Sequence, residues 1–236
     1  MIVVYSGTRN LYECMLPAID SLLEHNKPEK VILLIEDDTF PYELPEVCET
    51  MNVSGQTYFL PMGANSKSPF TYMAMIRICY ADLFPQYDKV IQLDVDTIVC
   101  DSLEPLWNID MTGKWFAACP EYLGNYKPFP NEKYYNIGVC VYNLDQMRKD
   151  NCLPYMLQTL NYIKLACTEQ DVMNMFGVPF KVVDIPKRYN ESFCCGYTDD
   201  PAIIHFAGFP DWWDNEHIFR RKYLDEHKKK LNLWPL

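Results

Sequence analysis

The stretch Lys89-Val90-Ile91-Gln92-Leu93-Asp94-Val95-Asp96 decides the reading of this chain: an apolar run of strand length stops abruptly at two carboxylates one residue apart. A strand end anchors its backbone in a sheet while presenting charge into a crevice, and hard divalent cations take carboxylate and phosphate oxygens. Taken alone, Asp-x-Asp also fits a solvated strand end in an acidic chain, and Asp101 and Glu104 close by fit a simple acidic turn. The surrounding elements have to choose.

Toward the N-terminus, residues 2–5 read as a strand, 11–25 as a helix and 30–35 as a second strand, a βαβ opening whose default is right-handed and parallel. Asn10 is placed to cap the helix, Lys27-Pro28 ends the turn after it, and the acidic, Pro-containing residues 36–46 read as a surface excursion. Ser68-Pro69 introduces a helix over 70–83, with Met73, Ile76, Tyr80 and Leu83 at helical spacing. Arg77 lies beside that inward stripe, where a long cation needs either an anion in a cleft or a structural ion pair. Beyond Asp96, apolar runs at 116–118, 139–142, 181–183 and 203–205 predict further strands separated by helices and Pro-rich loops, among them Tyr126-Lys127-Pro128-Phe129-Pro130. No repeat or linker interrupts them, so residues 1–236 read as one α/β domain whose second half elaborates one sheet.

Composition narrows the function classes. The 236 residues are 49% apolar and 14% aromatic, ample for a core. A net charge of −11 argues against nucleic acid as partner, whereas an anionic ligand bridged by a metal is compatible because the ion supplies local positive charge. Ten scattered cysteines show no C-x-x-C pair, and adjacent Cys194 and Cys195 suit no ordinary disulfide, so they read as reduced thiols. The residues from Met1 to Gly7 carry no basic segment followed by a long apolar one, and no stretch has the length of a membrane span, which predicts a cytoplasmic protein.

Three further segments hold chemistry-bearing residues. His205 ends the apolar run Ala202-Ile203-Ile204, with Gly208 three residues on; it reads either as a third metal ligand or as a hydrogen-bonded histidine of a buried strand. Thr168-Glu169-Gln170-Asp171 reads as a helix start, Thr168 capping and Asp171 completing a capping box, or as a carboxylate and an amide beside a sugar. Asn136-Ile137-Gly138 is either a turn or a polar side chain next to a glycine that permits close approach. From 217 to 234 the chain is basic and amphipathic, fitting either a helix packed on the core or one lying on an anionic membrane.

In order and spacing, these segments together resemble the retaining glycosyltransferases of family 8, the glycogenin and lipopolysaccharide galactosyltransferase family, over most of the chain. The resemblance implies a GT-A fold, a single Rossmann-like mixed sheet flanked by helices. It implies a nucleotide-sugar-binding half over 1–100, an acceptor and catalytic half over 101–216, and the basic segment 217–236. It further implies Mn²⁺, or Mg²⁺ in its place, held by Asp94, Asp96 and His205. Arg77, Asn136, Gly138, Asn10, Thr8, Arg9, Val95 and Gly208 then bind substrate, and Gln170 and Glu169 stand at the reacting face. The implied reaction is retaining transfer of a hexose, glucose or galactose, from a UDP-sugar to a saccharide or lipid-linked acceptor, with peripheral contact at the inner face of the membrane. Departures are Glu169 where the family often has Asp, Thr8-Arg9 in place of an acidic pair, an offset Tyr12, and Asp211-Trp212-Trp213 where Lys-Pro-Trp would place a lysine on the diphosphate. They leave two competing expectations: a nucleotide-sugar-binding protein with little turnover, and a metal-dependent hydrolase.

Overall fold

The computed structural model describes residues 1–122 and 133–233; the loop expected at Tyr126–Pro130 lies outside them. Its strands are β1 (Ile2–Ser6), β2 (Lys30–Ile35), β3 (Cys48–Asn52), β4 (Lys89–Leu93), β5 (Thr97–Val99), β6 (Phe116–Pro120), β7 (Tyr135–Asn143), β8 (Val182–Asp184) and β9 (Ile203–His205). The helices are α1 (Tyr12–His25), α2 (Tyr72–Met75), α3 (Tyr80–Leu83), α4 (Glu104–Trp107), α5 (Leu144–Lys149), α6 (Leu153–Tyr162), α7 (Thr168–Gly177) and α8 (Arg221–Lys230).

Seven strands form one sheet in the order β3-β2-β1-β4-β7-β6-β8, so both halves of the chain share it. β1 pairs in parallel with β2 and with β4, whereas β7 runs antiparallel to β4 and β6. The chain leaves β1 toward β2 and β3 on one side and returns to place β4 on the other. This is a topological switch point, where strand ends leave a crevice. Gly7 and Thr8 follow β1 there, and Asp94 follows β4. Continuous apolar sequence is required because both faces are covered: Val3, Ile91 and Val141 pack with α1, and Val4, Val90 and Tyr142 pack with the 72–84 segment.

Several features depart from the sequence reading. β3 was not legible because Cys48-Glu49-Thr50-Met51-Asn52 is a half-exposed edge strand with no apolar alternation. The helix expected over 70–83 is α2 and α3 joined by a tighter 3-10 stretch, Ile76–Cys79, which carries Arg77. Asn136-Ile137-Gly138 is not a turn: it lies inside β7. Asn10 sits in a 3-10 turn, Arg9–Leu11, and caps nothing; it accepts a hydrogen bond from the Thr8 hydroxyl at 2.5 Å. Among the described residues no helix is long and apolar enough to cross a membrane. All ten cysteines are free thiols.

Candidate active site

The sheet lines up the first carboxylate. The β4–β7 ladder continues past Leu93 through Asp94 N–H donating to Gly138 C=O at 2.7 Å, which sets Asp94 opposite a glycine. A Cβ built on Gly138 would lie 2.3 Å from His205 Cε1 and 2.6 Å from Asp94 Oδ2, so only glycine lets strand, carboxylate and imidazole converge. A two-stranded ribbon delivers the other two groups: β5 pairs with β9 with Thr97 opposite His205, and Phe206 N–H donates to Asp96 C=O at 2.9 Å. His205 Nε2 then stands 3.3 Å from Asp96 Oδ1 and 3.6 Å from Asp94 Oδ2.

These three residues fit a divalent cation. Their ligand atoms lie within 4.8 Å of one another, and two carboxylates with an imidazole suit Mn²⁺ or Mg²⁺. His205 Nδ1 is 2.8 Å from Asn190 Oδ1, so Nδ1 carries a proton and Nε2, which faces the carboxylates, is the nitrogen that would bind an ion. Asn190, fully buried, donates in turn to Asn136 Oδ1 at 3.0 Å.

Charge in the site is balanced from behind. Burial pushes the Asp94 carboxyl up to about 6, against the Arg77 guanidinium, which pulls it down. Asp96 feels the same burial, yet His205 beside it holds its carboxyl below the ordinary value. Burial lowers His205, but the two carboxylates outweigh it and hold the imidazole above its usual range. Arg77 is ion-paired with Asp94 and stands 3.6 Å from Glu169 Oε1. Its buried Nε has no acceptor among the described residues, although Arg77 lines the cleft.

A second cluster adjoins the metal ligands. In the β6–β7 pairing, Ala118 faces Cys140 but Cys119 faces Asn136, so residues 137–139 bulge without partners on β6. The side chains of the site take up those orphaned amides: Gln170 Oε1 accepts from Ile137 N–H at 3.1 Å, and Asn136 Oδ1 from Gly138 N–H at 3.0 Å. The amide donors of Gln170 and Asn136 both point at Glu121 Oε1, at 3.2 and 3.1 Å. Burial holds the Glu121 carboxyl above its ordinary value, partly offset by those two amides.

The helix cap is shifted by one residue from expectation. Cys167 is the N-cap of α7, and Asp171 accepts from its N–H at 2.9 Å; the Thr168 hydroxyl bonds Glu169 instead. Glu169 thereby turns toward Arg77 while Gln170 turns toward β7.

A cleft of about 190 Å³ opens over the carboxylates, lined by Gly7, Thr8, Arg77, Asp94, Val95, Asp96 and Trp212 among others. Thr8 and Val95 thus line the cleft. Arg9 does not line it: its exposed guanidinium is bound to Asp37, with Nε to Oδ2 at 3.0 Å, and Asn10 stays with Thr8. Gly208 takes φ +85°, bending the chain just after β9. Sequence reasoning missed Glu121, Asn190 and Trp212. Glu121 carried a usable signal, since an apolar run, Phe116–Pro120, stops on a carboxylate as β4 does at Asp94. Asn190, in a polar stretch, carried none.

A model of glycosyl transferase family 8 matches residues 2–216. The chain belongs to this family. It is 25% identical over 210 residues to a putative glycosyltransferase of Haemophilus influenzae, covering 80% of this chain and 63% of that protein. It is 23% identical over 227 residues to glycosyltransferase GlyA of Streptococcus pneumoniae, covering 89% of this chain and 32% of that protein. The chain therefore spans less than two thirds of the length of these relatives. In fold it is similar to galactosyltransferase LgtC, solved with donor and acceptor sugar analogues: TM-score 0.78 at 19% identity, over 100% of this chain and 98% of that chain. Glycosyltransferase GlyE of S. pneumoniae gives 0.72 at 19% identity, over 99% of this chain and 62% of that one. Family and fold together place the chain among the family 8 proteins of GT-A fold.

Proposed function

We propose that this glycosyltransferase transfers a hexose, glucose or galactose, from a UDP-sugar to a saccharide acceptor with retention of anomeric configuration. Mn²⁺ is the ion, with Mg²⁺ as a substitute. The observation that carries the reading is the convergence of Asp94, Asp96 and His205 over Gly138, at the mouth of a cleft that also holds Arg77. The ion supplies positive charge to the departing diphosphate when bound there. Arg77 adds a second cation on the same side. Gln170, fixed at both ends of its amide, and Glu169 stabilise the positive charge developing at the anomeric carbon. The acceptor hydroxyl attacks the face that the leaving group vacates.

The basic C-terminal segment supports a packed helix more than a membrane contact. Arg220 pairs with Glu191 at 3.0 Å, Lys230 with Asp20 at 2.8 Å, and Arg221 and Lys228 are buried. Asp211, which motivates the reading of binding without turnover, is exposed and accepts from Asn215 Nδ2 at 3.1 Å rather than lining the cleft.

One assay tests the proposal: nucleotide release from UDP-, GDP- and dTDP-sugars with Mn²⁺ or chelator, comparing the wild type with Asp96→Asn. Metal-dependent release from a UDP-hexose, lost in the variant, is expected. Nucleotide binding without release for any donor or saccharide acceptor would overturn transfer, and full-rate release of free sugar without acceptor would establish hydrolysis.

A further inference from the structure

The family match ends at residue 216, and α8 lies beyond it. Between β9 and α8 the chain runs as a series of turns along the cleft and delivers Trp212 to its wall. Trp212 is 7% exposed and stacks on Phe206, with ring centroids 5.7 Å apart and planes at 10°. Phe206 follows His205 directly, so the indole that borders the cleft is also tied to the strand carrying His205.

The backbone of this segment pairs in local turns: Trp212 N–H reaches Phe209 C=O at 3.1 Å, and the N–H groups of Asp214 and Asn215 both reach Asp211 C=O, at 3.0 and 2.9 Å. The carbonyls of Trp212, Trp213 and Asn215 instead converge on one side chain of α8: Arg221 Nη1 donates to them at 3.3, 3.0 and 3.2 Å. Arg221 is 9% exposed and its Nε is 2.5 Å from Asp225 Oδ1, which orients the guanidinium along the helix. Lys228, two turns on and 3% exposed, donates to Trp213 C=O at 3.2 Å and places its ammonium 4.0 Å from the Trp213 ring. Burying two cations is costly unless their hydrogen bonds are met, and here the segment's carbonyls help to meet them.

We infer that Arg221, with Lys228 beside it, is a positioning residue for the sugar donor: α8 fixes the Trp212–Asn215 backbone so that the Trp212 indole forms a preorganised wall for the nucleotide sugar next to Asp94 and Asp96. The inference rests on the donor reading proposed above. An indole already packed on Phe206 gives up little conformational entropy on binding, and the part of it that borders the cleft is apolar surface for sugar C–H groups. Without the guanidinium the three carbonyls lose a shared donor, and the donor must order the segment itself. Arg221 thus acts on binding through Trp212 without lining the cleft.

The experiment measures UDP affinity in saturating Mn²⁺ by calorimetry, and donor KM and kcat for the UDP-hexose that the wild type turns over. It uses Arg221→Ala, Arg221→Lys and Lys228→Met in the full chain, with Lys230→Ala as control. Lys230 pairs with Asp20 and Glu24 on α1, so the control weakens α8 docking without touching the Trp212 segment. Arg221→Ala is expected to raise donor KM or UDP Kd about tenfold with kcat within about threefold, a tenfold change being about 1.4 kcal/mol. Lys228→Met should give a smaller rise in the same direction, and Arg221→Lys should restore part of the loss. Amide exchange over 209–216 should accelerate in Arg221→Ala while β4 and β7 keep their protection. Unchanged KM and Kd in a folded Arg221→Ala, or an equal rise in Lys230→Ala, would overturn the inference. If Arg221→Ala does not fold, Lys228→Met decides by the same readings. A wild type that binds no UDP would refute the donor reading itself, an outcome distinct from a wild type that binds and variants that bind equally well.

Discussion

Gly138 controls the metal site although it offers no ligand. Its missing side chain is the space into which His205 and Asp94 project, and an alanine methyl there would meet His205 Cε1 at 2.3 Å. We predict that Gly138→Ala folds less stably and weakens Mn²⁺ binding at least tenfold, read by calorimetry; unchanged affinity would mean that the ligands reach the ion from another geometry. Asn190→Ala removes the acceptor that fixes the His205 tautomer, and a loss of about 10- to 100-fold in metal affinity is expected, as for other partners behind a ligand. The ion must displace protons from a carboxyl held at about 6 and from an imidazole held above its usual value, so affinity should rise with pH through about 6. The metal-free fold follows the opposite sign. Asp94 bound to its proton more tightly in the fold stabilises it fully below about pH 4, and that contribution is lost as pH rises through about 6. Thermal melts of the metal-free protein between pH 4 and 7, compared with Asp94→Asn, check the sign. At this scale Asp94 and His205 were legible because each ends an apolar run, and Asp96 because it stands one residue beyond Asp94. Glu121 and Asn190 act through hydrogen bonds to residues distant in sequence, which no local pattern encodes.

The elements show why those residues meet. The bulge opposite Ala118 and Cys119 frees the Ile137 and Gly138 amides, and the first turn of α7 is spent on satisfying one of them through Gln170. We predict that Glu121→Ala, which removes the shared acceptor of the Gln170 and Asn136 amides, lowers kcat about tenfold or more with little effect on Mn²⁺ affinity. A fall in metal affinity equal to the fall in kcat would show that the two clusters are one. The tightened stretch Ile76–Cys79 places Arg77 between Asp94 and Glu169, both partly or wholly buried. Arg77→Met leaves those carboxylates without their cation, and a destabilisation on the order of 3 kcal/mol is expected from urea unfolding, less whatever Asp94 recovers by taking up a proton. Periodicity predicted a helix here and most strands of the sheet. It did not predict the 3-10 winding, because apolar residues three and four apart suit either helix.

Across the whole molecule, the switch point between β1 and β4 supplies a crevice, and the β5–β9 ribbon closes it by bringing His205 to Asp96. Because an ion held by Asp94, Asp96 and His205 would tie both sheets together, the proposed Mn²⁺ should stabilise the fold: at a hundred times Kd the linkage is about 2.7 kcal/mol, or roughly 5–10 °C in Tm for a chain of this size. Differential scanning fluorimetry with Mn²⁺ and with chelator measures it, and a shift that persists in Asp96→Asn would place the ion elsewhere. The sequence by itself determined the α/β class, the parallel βαβ opening, the core strands and the carboxylate pair, because burial imposes apolar runs of strand length and charge interrupts them visibly. Only the tertiary structure showed that Asn136-Ile137-Gly138 lies inside a strand, that Arg77 pairs with Asp94, that α8 is tied to α1, and which polar groups face the cleft. Those outcomes depend on pairings between distant residues, such as Asn190 with His205 and Arg221 with the carbonyls beside Trp212. Such pairings satisfy hydrogen bonds and charge in three dimensions and leave no period in the chain.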